Sequence, residues 1–128
     1  MEYLIDTHIL IWYAENNPKV SSNTIEIISN LDNRIFVSHA SLWEITIKKG
    51  LGKLEYPGSI LEMAYFLEKN LFSILNFDFN HYDTYLKLPP NHFDPFDRML
   101  VAQAQSENLT IITQDDKFGK YFVPIIWN

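Results

Sequence analysis

Hydrophobic and polar positions along this chain fall into two kinds of stretch. Short apolar runs read as buried strands: residues 2–5, Arg34–Val37, Phe72–Leu75, Leu109–Thr113 and Val123–Trp127. Pro124 cannot donate a ladder hydrogen bond, which makes the last run an edge strand. The stretches between them have helical character. Thr7–Glu15 is apolar almost all round, as a helix packed close to a sheet would be, and Asn16-Asn17-Pro18 ends it. Ser21 or Ser22 caps a second helix running to about Asn30. Ser38–Gly50 reads as a third helix and Ser59–Lys69 as a fourth. Asn80 caps a short fifth that reaches Leu88, where Pro89-Pro90 stops it. Asp94 followed by Pro95 is a cap and a first-turn proline, opening a sixth helix through Ala104. Gln114-Asp115-Asp116 then leads from the fourth strand into a short turn or helix. This alternation predicts an α/β fold, a parallel sheet with helices on both faces. No repeat, low-complexity tract or linker interrupts it, so residues 1–128 read as one domain.

Composition narrows the class. With 128 residues, 47% hydrophobic and 20% charged, the chain can bury a real core and is not a disordered sequence. The absence of cysteine excludes disulfides, thiolate zinc sites and cysteine nucleophiles. Glu2 and Asp6 interrupt any signal-peptide-like start, and no apolar run approaches the roughly 18 residues of a membrane span. A soluble, cytoplasmic protein with no membrane partner is expected. A formal net charge of −6 repels nucleic acid overall, so a nucleic-acid role would need local basic groups or bound cations.

Four acids break the apolar pattern. Asp6 ends the first strand, and Asp115 follows the fourth. In a doubly wound sheet both positions lie at the carboxyl edge, where such sheets bind ligands. On the third helix Ala40, Trp43, Glu44, Ile47 and Leu51 form one stripe, so Glu44 is a carboxylate on an apolar face. Its i+4 neighbour Lys48 points further toward the polar side. On the sixth helix Asp97 shares a stripe with Leu100, Val101 and Ala104. Each acid has a plainer explanation. Asp6 and Asp115 are natural N-caps, Asp97 stands three residues after Asp94 as a capping-box partner would, and Asp116 is a solvated neighbour. Four bare carboxylates in one cleft would repel by several kcal/mol. Either protons or a hard divalent cation would relieve this, and all-oxygen ligands suit Mg²⁺ or Mn²⁺. Thr7 and Thr113 flank the acids with hydroxyls able to hold a carboxylate or a metal-bound water.

The segments Leu4-Ile5-Asp6-Thr7-His8, Ser41-Leu42-Trp43-Glu44-Ile45, Asp94-Pro95-Phe96-Asp97-Arg98 with Met99–Ala104, and Ile112-Thr113-Gln114-Asp115 resemble PIN-domain proteins. More closely, they resemble the VapC-type toxins of type II toxin–antitoxin pairs. The likeness runs in order along essentially the whole chain. It implies a three-layer α/β/α fold whose five-stranded parallel sheet has the order 3-2-1-4-5. It also implies a Mg²⁺-dependent endoribonuclease, with Mn²⁺ as the other candidate ion, cleaving RNA by metal-activated water. The implied catalytic and metal-binding acids are Asp6, Glu44, Asp97 and Asp115, with Asp116 competing for the fourth place. Beside these acids, Thr7, Arg98 and Thr113 are candidate substrate-positioning residues on their own chemistry and position. Implied partners are an RNA substrate, a cognate antitoxin protein and a second copy of the chain.

Rival readings are a PIN-like binding module without activity, whose acids are caps and solvated groups, and a haloacid-dehalogenase-like phosphohydrolase. The latter wants a second aspartate two residues after the first, where this chain has His8. Lys48, Lys49, Lys53, Lys117 and Lys120 are the remaining cations available to phosphate, and solvated surface charge is the better reading of any one of them.

Overall fold

The computed structural model describes residues 1–90 and 94–128. In chain order the elements are β1 (Glu2–Ile5), α1 (Thr7–Ala14), α2 (Ser22–Ser29), β2 (Arg34–Ser38), α3 (His39–Gly50), α4 (Ile60–Lys69), β3 (Ser73–Leu75), α5 (Phe79–Leu86), α6 (Pro95–Glu107) and β4 (Thr110–Thr113). A 3₁₀ turn over Asp116–Lys120 and β5 (Ile125–Trp127) close the chain. All strand pairings are parallel, and the sheet order is β3-β2-β1-β4-β5, as expected.

Both faces of the sheet are covered, which is why its strands are continuously apolar. Side chains alternate across a strand, and the core divides accordingly. Tyr3, Ile5 and Ile112 face one cluster, with Ile9 and Leu10 of α1, Ile28 of α2, Ile45 of α3 and Met63 and Leu67 of α4. Leu4 and Ile111 face the other, with Leu100, Val101 and Ala104 of α6, Leu109 and Phe118. A buried polar link ties α6 to β2: the Ser38 hydroxyl bonds the Gln103 side chain, and Gln103 lies 3.4 Å from the buried His81 of α5.

Caps set most helix starts. Asp6, Ser21, Ser38, Ser59 and Asp94 each accept a backbone N–H of the helix that follows. Ser38 is therefore the cap of α3 rather than its first residue, and it also ends β2. The fifth helix departs from expectation. Asp78, not Asn80, caps it, through a reciprocal box with His81, and it ends at Leu86. The two candidates stand two residues apart, and the reciprocal contacts between Asp78 and His81 fix the earlier one as the cap. At the far edge the sheet strand is shorter than expected. Val123 and Pro124 precede β5, and the Pro124 carbonyl accepts the Ile111 N–H at 3.0 Å. Both rims, β3 and β5, are three residues long. No helix among the described residues is long and apolar enough to cross a membrane.

Ile111 lies wholly buried against α6, whereas Ile74 on the rim strand β3 is 44% exposed. Ile111→Ala is expected to lower the unfolding free energy by about 2–5 kcal/mol. Ile74→Ala should cost less than that lower bound. Urea denaturation of the two variants beside the parent checks the contrast.

Candidate functional site

The carboxyl edge of β1 and β4 organises the site. Asp6 follows β1 directly, and its backbone N–H continues the ladder to the Ile112 carbonyl at 3.1 Å. Its side chain is buried, 4% exposed, and has a partner on each oxygen. Oδ1 accepts the Ile9 N–H at 2.8 Å, capping α1, and Oδ2 accepts the Thr113 hydroxyl from the end of β4. Thr113 Oγ1 also accepts the Asp115 N–H at 3.0 Å. One threonine thus fixes two of the acids relative to each other. Asp115 is half-buried and caps the 3₁₀ turn through the Lys117 N–H, while Asp116 is exposed. Asp6 and Asp115 line a hollow of about 230 Å³ together with His8, Trp12 and Gln114.

Burial pushes the Asp6 carboxyl above its ordinary value. The Thr113 hydroxyl, the Ile9 amide and His8 oppose that push, and the negative charge of Asp115 adds to it. Capping is therefore real at Asp6, but it is not the whole account. A cap alone does not need a buried carboxylate facing a second acid.

Glu44 enters from α3, which packs against both α1 and α6. It is 3% exposed. Oε1 accepts the Thr7 hydroxyl at 2.7 Å, and Thr7 Oγ1 is also 3.0 Å from the buried Ser41 hydroxyl. Oε2 lies 2.6 Å from the Lys48 ammonium. This corrects the expectation for α3. Its buried face is Ala40, Ser41, Glu44 and Ile45, whereas Trp43 and Leu51, assigned to the apolar stripe, are 58% and 62% exposed. The helix is rotated so that polar Ser41, Glu44 and Lys48 share the side facing α1 and α6. Lys48 thereby reaches Glu44 instead of pointing away. That hydrogen bond raises the Lys48 ammonium above its ordinary value, with the charges of Glu44, Asp94 and Asp97 adding to the effect and partial burial opposing it.

Asp97 sits in the first turn of α6, half-buried. The helix start is held by Asp94, whose Oδ1 accepts the N–H groups of Phe96 and Asp97 at 2.8 and 3.1 Å. Asp97 belongs to the same electrostatic neighbourhood as Glu44, because both act on Lys48. Arg98 donates to the Pro89 carbonyl at 2.7 Å and to the Tyr121 hydroxyl at 3.3 Å, and lies over the Tyr85 ring. Those contacts brace α6 against α5 and the 3₁₀ turn.

The tightest ligand-like cluster among the described residues lies elsewhere. Asp78, His81 and Glu107 bring ligand atoms within 4.8 Å of one another, a spacing that no three of Asp6, Glu44, Asp97 and Asp115 achieve. Glu107 is ten residues along α6 from Asp97, about 15 Å at helical rise. His81 Nδ1 accepts the Asp78 N–H at 3.1 Å, so its proton sits on Nε2, directed at Glu107 Oε2 3.3 Å away. With Nε2 acting as donor, this group is a capping box buttressed by a carboxylate. Sequence reasoning passed over it, although the Asp-x-x-His spacing of a capping box was there to be read.

A PIN domain family model matches residues 3–122, and the chain belongs to that family. A search of curated protein sequences found no match. Among solved structures, the chain is similar to one in the VapBC2 complex of Rickettsia felis bound to a DNA fragment from their promoter. That match has a TM-score of 0.75 and 21% identity, covering 99% of this chain and 98% of that one. A chain of the DNA-bound VapBC of Salmonella typhimurium matches at TM-score 0.71 and 18% identity, covering 99% and 98%. A chain of FitAcB from Neisseria gonorrhoeae matches at 0.69 and 20%, covering 100% and 97%. At these identities the likeness is one of fold.

The raised Asp6 carboxyl has a defined consequence for stability. An acid whose folded pKa exceeds its unfolded value binds more protons when folded, so it contributes stability at low pH that is lost as pH rises through the folded pKa. Asp6→Asn should therefore raise the thermal midpoint of the metal-free protein at pH 8, by more than at pH 4.5. Thermal melts of both proteins in chelator at the two pH values check the sign.

Proposed function

We propose that this PIN domain, residues 1–128, is a Mg²⁺-dependent endoribonuclease and the toxin of a type II toxin–antitoxin pair of the VapC kind. The observation supporting the reading is a pair of buried carboxylates: Asp6 at the carboxyl edge of the sheet, and Glu44, which accepts the hydroxyl of the next residue along from Asp6, Thr7. Each is held by a threonine hydroxyl from another element. Asp115 lines the same hollow as Asp6, and Asp97 acts on Lys48 together with Glu44.

The donor set fits a hard divalent cation: carboxylate oxygens, with hydroxyls behind them orienting two of the four. Mg²⁺ keeps part of its water shell, so it does not need three of these acids as direct ligands. Mn²⁺ would suit the same oxygens. Asp6 and Asp97 are the first candidates for ligands. Glu44 and Asp115 complete the set directly or through water. When bound, such an ion lowers the pKa of a coordinated water and neutralises the scissile phosphate.

The chain's own contribution is orientation. Thr113 fixes Asp6 and the Asp115 backbone together, and Thr7 fixes Glu44 against α1. Attack by water in line with the leaving oxygen would give 5′-phosphate and 3′-hydroxyl ends. His8, exposed at the rim of the Asp6–Asp115 hollow, is placed to contact substrate rather than to act as an obligatory base.

An antitoxin protein is the expected partner in the cytoplasm. A second hollow of about 320 Å³ between the early helices, lined by Trp12, Tyr13, Val20, Ile25 and Phe66, supports docking of an apolar segment there. A homodimer is the other expected assembly.

The competing reading, an inactive PIN-like module, draws on one observation: both oxygens of Glu44 already have partners within the chain. Cleavage assays separate the two. Asp6→Asn and Asp97→Asn are each expected to cut Mg²⁺-dependent cleavage of total RNA by more than about 100-fold, beyond the range usual for residues that only support a metal ligand. The circular dichroism spectrum should be unchanged. Growth arrest on expression, relieved by the same substitutions, distinguishes a toxin from a housekeeping nuclease. Parent-level cleavage by both variants would overturn the mechanism.

A further inference from the structure

The ion pair between Lys48 and Glu44 goes beyond helix stabilisation. Ordinary i,i+4 pairs of this kind lie on the solvent face, are weak and need no partner elsewhere. Here the acid is buried and the lysine is part-buried, with side-chain exposures of 4% and 38%. The Nζ–Oε2 distance is 2.6 Å, and the ammonium also feels Asp94 and Asp97. Glu44 Oε1 is taken by Thr7. A positive charge on a long, partly exposed stem therefore sits among the acids that the site presents to a cation.

Resting on the metal-dependent reading above, we propose that Lys48 is the built-in counter-ion of the metal-free site, and that a divalent cation and the Lys48 ammonium compete for Glu44. Where Glu44 ligates the ion directly, geometry sets the two cations in competition. An ion about 2.1 Å from a Glu44 oxygen and an ammonium 2.6 Å from the same carboxylate would stand only a few ångströms apart. Two like charges at that separation repel strongly in a partly desolvated cleft. Lys48 has a way out, because its four-carbon stem reaches solvent. Glu44 has none, because Thr7 and the surrounding helices hold it. Binding of the ion thus swings Lys48 off Glu44 toward the mouth of the cleft, where a phosphate would lie. The lysine keeps the metal-free acids compatible with one another, at the expense of metal affinity.

The sign of the effect on affinity separates this role from a bracing one. A lysine that merely holds Glu44 in place for the ion would weaken binding when removed, whereas a competitor tightens it. Mn²⁺ alone, titrated into the full chain and followed by the EPR signal of the free ion, gives the dissociation constant without any activity assay. Lys48→Met is expected to bind Mn²⁺ about tenfold more tightly than the parent, a difference of about 1.4 kcal/mol. Lys48→Arg should stay near the parent. Lys69→Met, which changes net charge equally on α4, should also stay near it. Binding by Lys48→Met that is equal to or weaker than the parent's, where the parent binds saturably, overturns the competition and leaves the metal reading standing. No saturable binding by the parent overturns the metal reading and the competition with it.

Should Lys48→Met fail to give a folded spectrum, the parent decides. After reductive ¹³C-methylation, the Lys48 resonance is assigned by its loss in Lys48→Arg. A shift that saturates with Mg²⁺ supports the exchange, and a resonance unmoved at saturation overturns it.

Discussion

The parallel pairing of β1 with β4 is the constraint on which the remainder depends. Tyr3, Leu4 and Ile5 stand opposite Thr110, Ile111 and Ile112, and the ladder runs on through the Asp6 N–H. Because β1 is central and apolar on both faces, its register cannot slip without exposing one core or the other. That fixes the point where the chain stops being a strand. Asp6 leaves the sheet level with Thr113, so a hydroxyl and a carboxylate from opposite ends of the sequence meet at bonding distance. α1 then starts on the same carboxylate. One residue serves as strand end, helix cap and candidate site acid, and losing either structural role would disturb the third.

Much of this was readable beforehand. The strands are uninterrupted apolar runs because both sheet faces are covered, and their alternation with helices gives parallel topology without further information. The strand order came from resemblance and not from pattern, since hydrophobicity does not say which strand pairs with which. Asp94-Pro95 marked the start of α6 because a cap followed by a first-turn proline has few other meanings. Asn80 was the wrong cap for α5 because Asp78 offers the same chemistry two residues earlier, together with a reciprocal partner in His81.

The orientation of α3 was misread for a more general reason. A helical wheel assumes that apolar residues mark the buried side. Here the side turned to α1 and α6 carries Ser41, Glu44 and Lys48, and large apolar residues such as Trp43 are left outside. A polar site inverts the pattern locally. The mistake about Lys48 and the mistake about Trp43 are one mistake, since both follow from the same rotation about the helix axis. A helix that turns a polar face toward its neighbours produces this local disagreement between the apolar stripe and the actual burial.

The two rims of the sheet have a bearing on how anything macromolecular could engage this molecule. A long open strand invites a visitor to add its own main chain alongside, with backbone amides and carbonyls supplying affinity whatever the visitor's sequence. β3 and β5 offer three residues each, and the run into β5 is spoiled by a proline. So small a template rewards main-chain zippering poorly. Recognition must instead read the helical surfaces through side chains, and that kind of contact tells one guest from another.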